Sequence, residues 1–151
     1  MKRILLAAAL LFGCSRKAAP PPPPVVNHDA AGLEKLVLLP GTPSSVSWCT
    51  QKMGFASSRV PGPDDWELQA LVHYPAEQRD AVGAAVRARP LIAALATPAK
   101  SCLPQADLEA SASLFANPGR DAAGLAHPPL TAGAIAWDGT SGTMFVQAHT
   151  M

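Results

Sequence analysis

The side chains that could form a catalytic or metal site are few in this sequence, and they lie far apart. The chain contains no HExxH, CxxC or GxSxG motif. Two histidines without a third ligand make a poor zinc site. We therefore expect no metal, no cofactor and no catalytic residue. The four histidines are His28, His73, His127 and His149.

Scattered residues can still meet in a fold, so a small hydrolase remains an alternative. Its site would draw on His73, His149, Asp138 and Ser141, and the two histidines could meet across neighbouring strands. A cleft that converges on a histidine and an acid would favour the enzyme. A flat or protruding apolar patch would favour a protein that acts by binding.

The first fourteen residues have the pattern of a secretory signal. Lys2 and Arg3 precede an unbroken apolar run over residues 4–12, which are the charged start and short core of a signal peptide. Nine apolar residues span about 14 Å as a helix, roughly half of a bilayer core, so the run is too short to cross a membrane. The run ends at Leu11-Phe12-Gly13-Cys14, which resembles the lipobox of bacterial lipoproteins.

That resemblance implies that residues 1–13 are removed and that a diacylglycerol is attached to the thiol of Cys14, with acyl chains such as palmitate. Leu11 and Gly13 fit the lipobox, and Phe12 is bulkier than its usual residue. Asp after the cysteine retains enteric lipoproteins at the inner membrane, so Ser15 resembles the class sorted to the outer membrane. We expect an anchor at the periplasmic face of the outer membrane rather than at the inner membrane.

Residues 14–31 are interpreted as the lipidated cysteine and a proline-rich tether. Five consecutive prolines over residues 20–24 restrict the chain to polyproline II, a rod of about 15 Å. The run could be a ligand for a proline-binding groove, but directly after a lipidated cysteine we favour a spacer. Arg16 and Lys17 would lie at anionic headgroups, where a basic residue contributes about 1 kcal/mol.

The remaining two cysteines, Cys49 and Cys102, are predicted to form a disulfide. The envelope is oxidising, and a pair of cysteines in a small exported domain favours a bridge. Two buried free thiols that pack as small hydrophobic side chains are the alternative.

Charge and composition exclude one class of partner. The formal charge is +1, and removal of Lys2 and Arg3 with the signal leaves −1. A near-neutral domain with scattered basic residues lacks the basic patch of a nucleic-acid-binding protein. Only 5% of the residues are aromatic, so Trp48, Trp66 and Trp137 are expected to be the large anchors of the core.

The hydrophobic pattern predicts strands and helices along residues 32–151, interpreted as one globular domain. Period-two alternation is clearest in residues 66–74, which indicates a half-buried strand. For residues 44–53 a helix is favoured, and an extended segment over residues 46–49 is the alternative; residues 91–96 stay open. The predicted strands are 33–39, 66–74, 108–114, 132–137 and 143–149, and the second predicted helix is 75–89.

These elements predict an α+β domain with a small, mostly antiparallel sheet, one or two helices packed on one face, and one disulfide. We expect it to act by binding, as an accessory subunit of an envelope complex or as an inhibitor or immunity-type protein. Its expected partners are the membrane, through the lipid, and an envelope protein. The small periplasmic hydrolase is the alternative.

Overall fold

A computed structural model of the protein describes residues 23–53, 65–93, 95, 98 and 100–150. The lipobox with Cys14 and the first part of the tether lie outside the described residues. The strands are β1 (Ser45–Met53), β2 (Asp65–His73), β3 (Arg120–Asp121), β4 (Ala132–Asp138) and β5 (Thr143–His149). The α-helices are α1 (Ala30–Glu34), α2 (Arg79–Arg87) and α3 (Gln105–Ala110), and 3-10 turns occupy Ala76–Gln78 and Ala112–Ala116.

The five strands form one antiparallel sheet in the order β1-β2-β5-β4-β3. This confirms the predicted α+β class. The predicted strands over residues 66–74, 132–137 and 143–149 are present as β2, β4 and β5, and the helix predicted after Pro75 is present as a 3-10 turn that continues into α2. Between β4 and β5 the chain reverses at Gly142, whose φ of 71° lies in the left-handed region that favours glycine.

The helix favoured for residues 44–53 is wrong, because this segment forms strand β1. The alternative, an extended segment over residues 46–49, is confirmed. All nine residues of β1 pair with β2, from Ser45 opposite His73 to Met53 opposite Asp65. Residues such as Val46, Trp48 and Thr50 have higher strand than helix propensity. Thr42 could cap a helix with Pro43 at its first position, which is why a helix was favoured. That local signal does not prevail, because the strand preference agrees with the long-range pairing.

Two predicted strands are wrong. In place of a strand over residues 33–39, α1 ends at Glu34 and Val37 makes an isolated bridge to Ala126. In place of a strand over residues 108–114, α3 follows Pro104 and leads into a 3-10 turn. The segment from Gln105 is rich in strong helix formers, and their propensity outweighs an apolar alternation that was compatible with a strand.

The sheet is covered on both faces, so β2 is buried on both sides rather than half-buried. On one face, called the α2 face, Leu68, Ala70 and Val72 pack beneath α1, α2 and the loop before β4. On the other, called the disulfide face, Leu71 and Phe145 pack beneath α3 and the following 3-10 turn. The predicted helix α2 thus packs on one face of the sheet, together with α1, which was not predicted, and the segment predicted as a strand over residues 108–114 covers the other face.

The predicted disulfide is present on the disulfide face. Cys49 and Cys102 are bridged, with a Cα–Cα distance of 6.0 Å. Both residues are buried. The bridge fastens β1 to the segment that precedes α3.

The chain that precedes α1 adds to the outer edge of β1. Asn27 and Trp48 exchange two backbone hydrogen bonds, of 2.7 and 2.9 Å, in an antiparallel bridge. His28 Nδ1 lies 3.2 Å from the carbonyl oxygen of Val46 and 3.2 Å from the hydroxyl of Ser47. Asn27 therefore fixes the end of the tether to one edge of the sheet.

The three tryptophans were expected to be the large anchors of the core, but they do not form its centre. Trp66 is 39% exposed, whereas Trp48 and Trp137 are partly buried and pack against the core from its border. The largest fully buried side chains are Tyr74 and Phe145. Trp66 stands near the start of β2, at the end of the sheet where α2 does not reach.

Tyr74 contains a buried hydroxyl that finds no hydrogen-bond partner among the described residues. Burial raises the pKa of its phenol well above the ordinary value, and the carboxylate of Glu34 adds to the effect. The folded protein disfavours the phenolate, so the contribution of this burial to the free energy of unfolding is fully present below about pH 10. It is lost as the pH rises further, because the phenol of the unfolded chain then ionises while that of the folded chain does not.

Substitution of Tyr74→Phe is therefore expected to leave stability at neutral pH unchanged or to raise it by up to about 1 kcal/mol, since an unpaired polar atom is removed. Above about pH 10 the variant should lose less stability than the wild type. Urea denaturation at neutral and alkaline pH measures both effects. The same alkaline loss in the two proteins would contradict the assignment, and since Tyr74 is the single tyrosine, no other phenol contributes.

Candidate functional site

The two histidines that could have met across neighbouring strands lie at opposite ends of the sheet. His73 is opposite Thr143, and His149 is opposite Glu67. The two positions are six residues apart along β2, which corresponds to about 20 Å. The residues considered for a hydrolase therefore fall into two separate sites, one with His73, Asp138 and Ser141 and the other with His149.

At the first place, His73, Thr143, Ser141 and Asp138 form a continuous hydrogen-bond chain. Thr143 Oγ1 lies 3.0 Å from His73 Nδ1 and 2.9 Å from Ser141 Oγ, which lies 3.0 Å from Asp138 Oδ2. The pKa of Asp138 is lowered, mainly by the hydrogen bond of 2.7 Å that Ser113 Oγ donates to its carboxylate.

This chain does not have the order of a catalytic triad. A triad requires the imidazole between the acid and the nucleophilic hydroxyl, whereas here two hydroxyl groups separate Asp138 from His73. Asp138 Oδ1 also accepts a hydrogen bond of 2.9 Å from the backbone N–H of Thr140. The arrangement shapes the turn between β4 and β5 and ties it to Ser113.

At the second place, a polar cleft of about 390 Å³ opens on the disulfide face. Its wall includes His149, Gln147, Asp121 and the carboxylate of Glu67, which is only 7% exposed. Glu67 Oε2 accepts a hydrogen bond of 2.7 Å from Gln51 Nε2, and Oε1 accepts one from Gln147 Nε2. The two amides compensate for the burial of the carboxylate.

A histidine and two carboxylates beside one cleft have the residue types of general acid–base chemistry. Both oxygens of Glu67 are already engaged, however, and Asp121 Oδ1 accepts a hydrogen bond of 2.8 Å from the backbone of Ala123. The remaining described residues of the wall are Met53, Ala132, Gly133 and Ala134, none of which offers a nucleophilic hydroxyl or thiol. Sequence reasoning missed Glu67 because the alternation of β2 placed it on a solvent-facing side.

The third feature is an apolar cleft of about 290 Å³ on the α2 face. Its apolar wall comes from the segment after α1, from β2 and from the loop before β4: Leu36, Trp66, Leu68, Pro129 and Leu130. Thr50, Glu67 and Thr150 complete the lining.

Trp66 stands at the rim of this cleft, and its backbone is held on the β5 side. The Trp66 N–H donates to Thr150 Oγ1 at 2.8 Å, and Thr150 N–H donates to the Trp66 carbonyl at 3.0 Å. Lys52 Nζ lies 5.3 Å from the centroid of the indole ring. A fixed backbone thus presents a large aromatic side chain, partly exposed, beside an apolar hollow.

The polar and the apolar cleft lie at the same end of the sheet. Trp66 and Glu67 are neighbours in β2 and point to opposite faces, and His149 and Thr150 are placed in the same way at the end of β5. We call this the Trp66 end, formed by residues 52–53, 65–67 and 149–150. The apolar and charged side chains that line the two clefts, and that could contact a ligand, lie at this end.

Among the described residues, no helix is long and apolar enough to cross a bilayer. Within the same ranges, no group of three or more His, Cys, Asp or Glu side chains could hold a metal ion. No protein-family model matches the chain, and no curated protein or solved structure matches it either.

Proposed function

We propose that this protein is a lipid-anchored protein of the bacterial envelope that acts by binding, through the apolar cleft at the Trp66 end. The observation that carries the proposal is the cleft itself, with the half-exposed Trp66 at its rim. Large aromatic side chains beside apolar hollows are typical anchors of a binding surface.

The anchor in this proposal is Cys14. The lipobox at residues 11–14 and the prolines that follow support it, and the fixed position of Asn27 on the edge of β1 gives the tether a defined place of departure. The outer membrane, at its periplasmic face, is the proposed location because Ser15 follows the cysteine. An envelope protein partner, such as the complex that an accessory subunit joins or a target of inhibition, stays a prediction.

A hydrolase is the second candidate, and the observation that favours it is the polar cleft with Glu67, Asp121 and His149. The hydrogen bonds already accepted by both oxygens of Glu67 and by Oδ1 of Asp121 weigh against it. Purified protein is expected to show no turnover of peptidoglycan, ester, peptide or phosphoester substrates. Turnover that disappears in His149→Ala would establish the hydrolase instead.

Site-specific photocrosslinking in the native envelope tests the binding proposal. A benzophenone amino acid replaces Thr50, which is exposed and lines the apolar cleft. The control position is Thr140, which is exposed in the turn at the opposite end of the sheet. We expect discrete adducts from position 50 and none from position 140. Equal, diffuse labelling at the two positions would contradict a binding site at the cleft.

A further inference from the structure

The path of the tether determines which end of the domain lies closest to the lipid. The bridge between Asn27 and Trp48 is antiparallel, so the chain runs from Asn27 toward its N-terminus in the direction in which β1 runs toward Met53. Val26 packs against the apolar cluster of the disulfide face, which includes Cys49 and Cys102, and keeps the chain on this course. The tether thus leaves the domain toward the Trp66 end.

The length of chain beyond Pro23 limits how far the anchor can lie from that end. Cys14 lies nine positions before Pro23, and even a fully extended chain of nine residues spans only about 30 Å. A lipidated Cys14 therefore holds the Trp66 end close to the bilayer.

The surface at this end is suited to that position. Val25 is 73% exposed, Met53 is 45% exposed, and Trp66 stands at the rim of the apolar cleft. Tryptophan is enriched where protein meets the interface of a bilayer, because its ring is apolar and its N–H is polar.

From these observations we infer that the Trp66 end lies against the membrane that holds the anchor, and that the apolar cleft takes an acyl chain of a membrane phospholipid. The inference rests on the proposed lipid anchor and names the ligand of the proposed binding site. An acyl chain matches the leucine and proline walls of the cleft, since it needs no hydrogen bonds from them.

The contact is apolar rather than electrostatic. Lys52 lies over the Trp66 ring, but Asp65 is opposite the neighbouring residue Met53, so the end has no excess of basic charge. Zwitterionic phospholipids should therefore suffice for binding. This separates the contact from attraction of a polybasic segment to anionic lipid.

The test uses the full-length lipidated protein in vesicles of phosphatidylcholine and phosphatidylethanolamine whose acyl chains contain bromine, a short-range quencher of tryptophan fluorescence. We expect bromolipids to quench the wild type and to lose this effect in Trp66→Phe. Trp137→Phe is the matched control, because Trp137 lies on the same face of the sheet, near its opposite end, and packs against Tyr74. That variant should retain the quenching.

Equal quenching of the wild type and Trp66→Phe would overturn the inference. An absence of quenching in protein that floats with the vesicles would also overturn it. That result would leave the proposed anchor intact and would indicate that a protein partner or a second copy of this chain occupies the apolar cleft. Protein that has no acyl mass at Cys14 and does not float would overturn the proposed anchor and the inference together. Mass spectrometry and flotation of each sample distinguish these results.

Discussion

Replacement of Cys14 by serine is expected to abolish acyl labelling of the protein and to leave its precursor uncut or misprocessed. In the proposed anchor the diacylglycerol is bonded to the thiol of Cys14, which serine lacks. Two or three acyl chains make release from a bilayer negligible, whereas a chain without them has no comparable attachment. The effect should thus be close to all-or-none.

Labelling with a radioactive or clickable palmitate, followed by fractionation of the membranes, measures this result. Ser15→Asp is the matched control, since it alters the adjacent residue and preserves the thiol. By the sorting rule that Ser15 resembles, this control should keep its label and move toward the inner membrane. Normal processing and membrane association of the Cys14→Ser chain would refute the lipoprotein proposal.

The elements that could be predicted from the sequence are those specified by local chemistry. The β4–β5 hairpin combines two apolar segments with a short turn that contains glycine, and the helix after Pro75 has both a start signal and a proline beyond its end at Pro90. In each case the local pattern and the tertiary pairing favour the same structure. The disulfide followed from the count of cysteines and the expected compartment.

The failures arose where tertiary contacts or competing local signals decide the structure. The alternation in β2 indicated one solvated face, but Glu67 and Gln69 lie buried on that face, because neighbouring side chains supply their hydrogen bonds. Residues 108–114 alternate as a strand would, yet they follow Pro104 in a segment of good helix formers. A pattern of period two cannot distinguish polar residues in water from polar residues satisfied in the interior.

The candidate site could not be predicted for a related reason. The apolar cleft brings together residues that are distant in the chain, among them Leu36, Trp66, Leu130 and Thr150. Only the pairing of β2 with β5 and the return of the loop before β4 place them side by side. The sequence shows that Trp66 is a large apolar residue, and it was expected in the core. Nothing in the sequence indicated that this residue lies at the end of the sheet.

Loss of the Cys49–Cys102 bridge is expected to cause a large loss of stability. The bridge links residues 53 positions apart, and closing a loop of that length in the unfolded chain corresponds to about 4 kcal/mol in the chain-entropy model. For a domain of this size, that loss lowers the thermal midpoint on the order of 15 °C.

The position of the bridge adds to this expectation. Cys102 follows Ser101, whose hydroxyl donates a hydrogen bond of 2.6 Å to Oε1 of the fully buried Gln69. The disulfide keeps this segment over β2, so its loss also loosens the partner of a buried amide. A buried polar group that loses its partner costs about 1–3 kcal/mol.

Urea denaturation of the wild type, with and without reductant, and of the Cys49→Ala/Cys102→Ala double variant measures the effect. Reductant should lower the midpoint of the wild type and leave that of the double variant unchanged, because only the wild type has a bridge to break. Gln69→Leu in the double variant then separates the two contributions. If the loosened segment leaves the Gln69 amide unpaired, this apolar replacement should recover part of the lost stability, whereas a cost that is purely chain entropy would not be recovered.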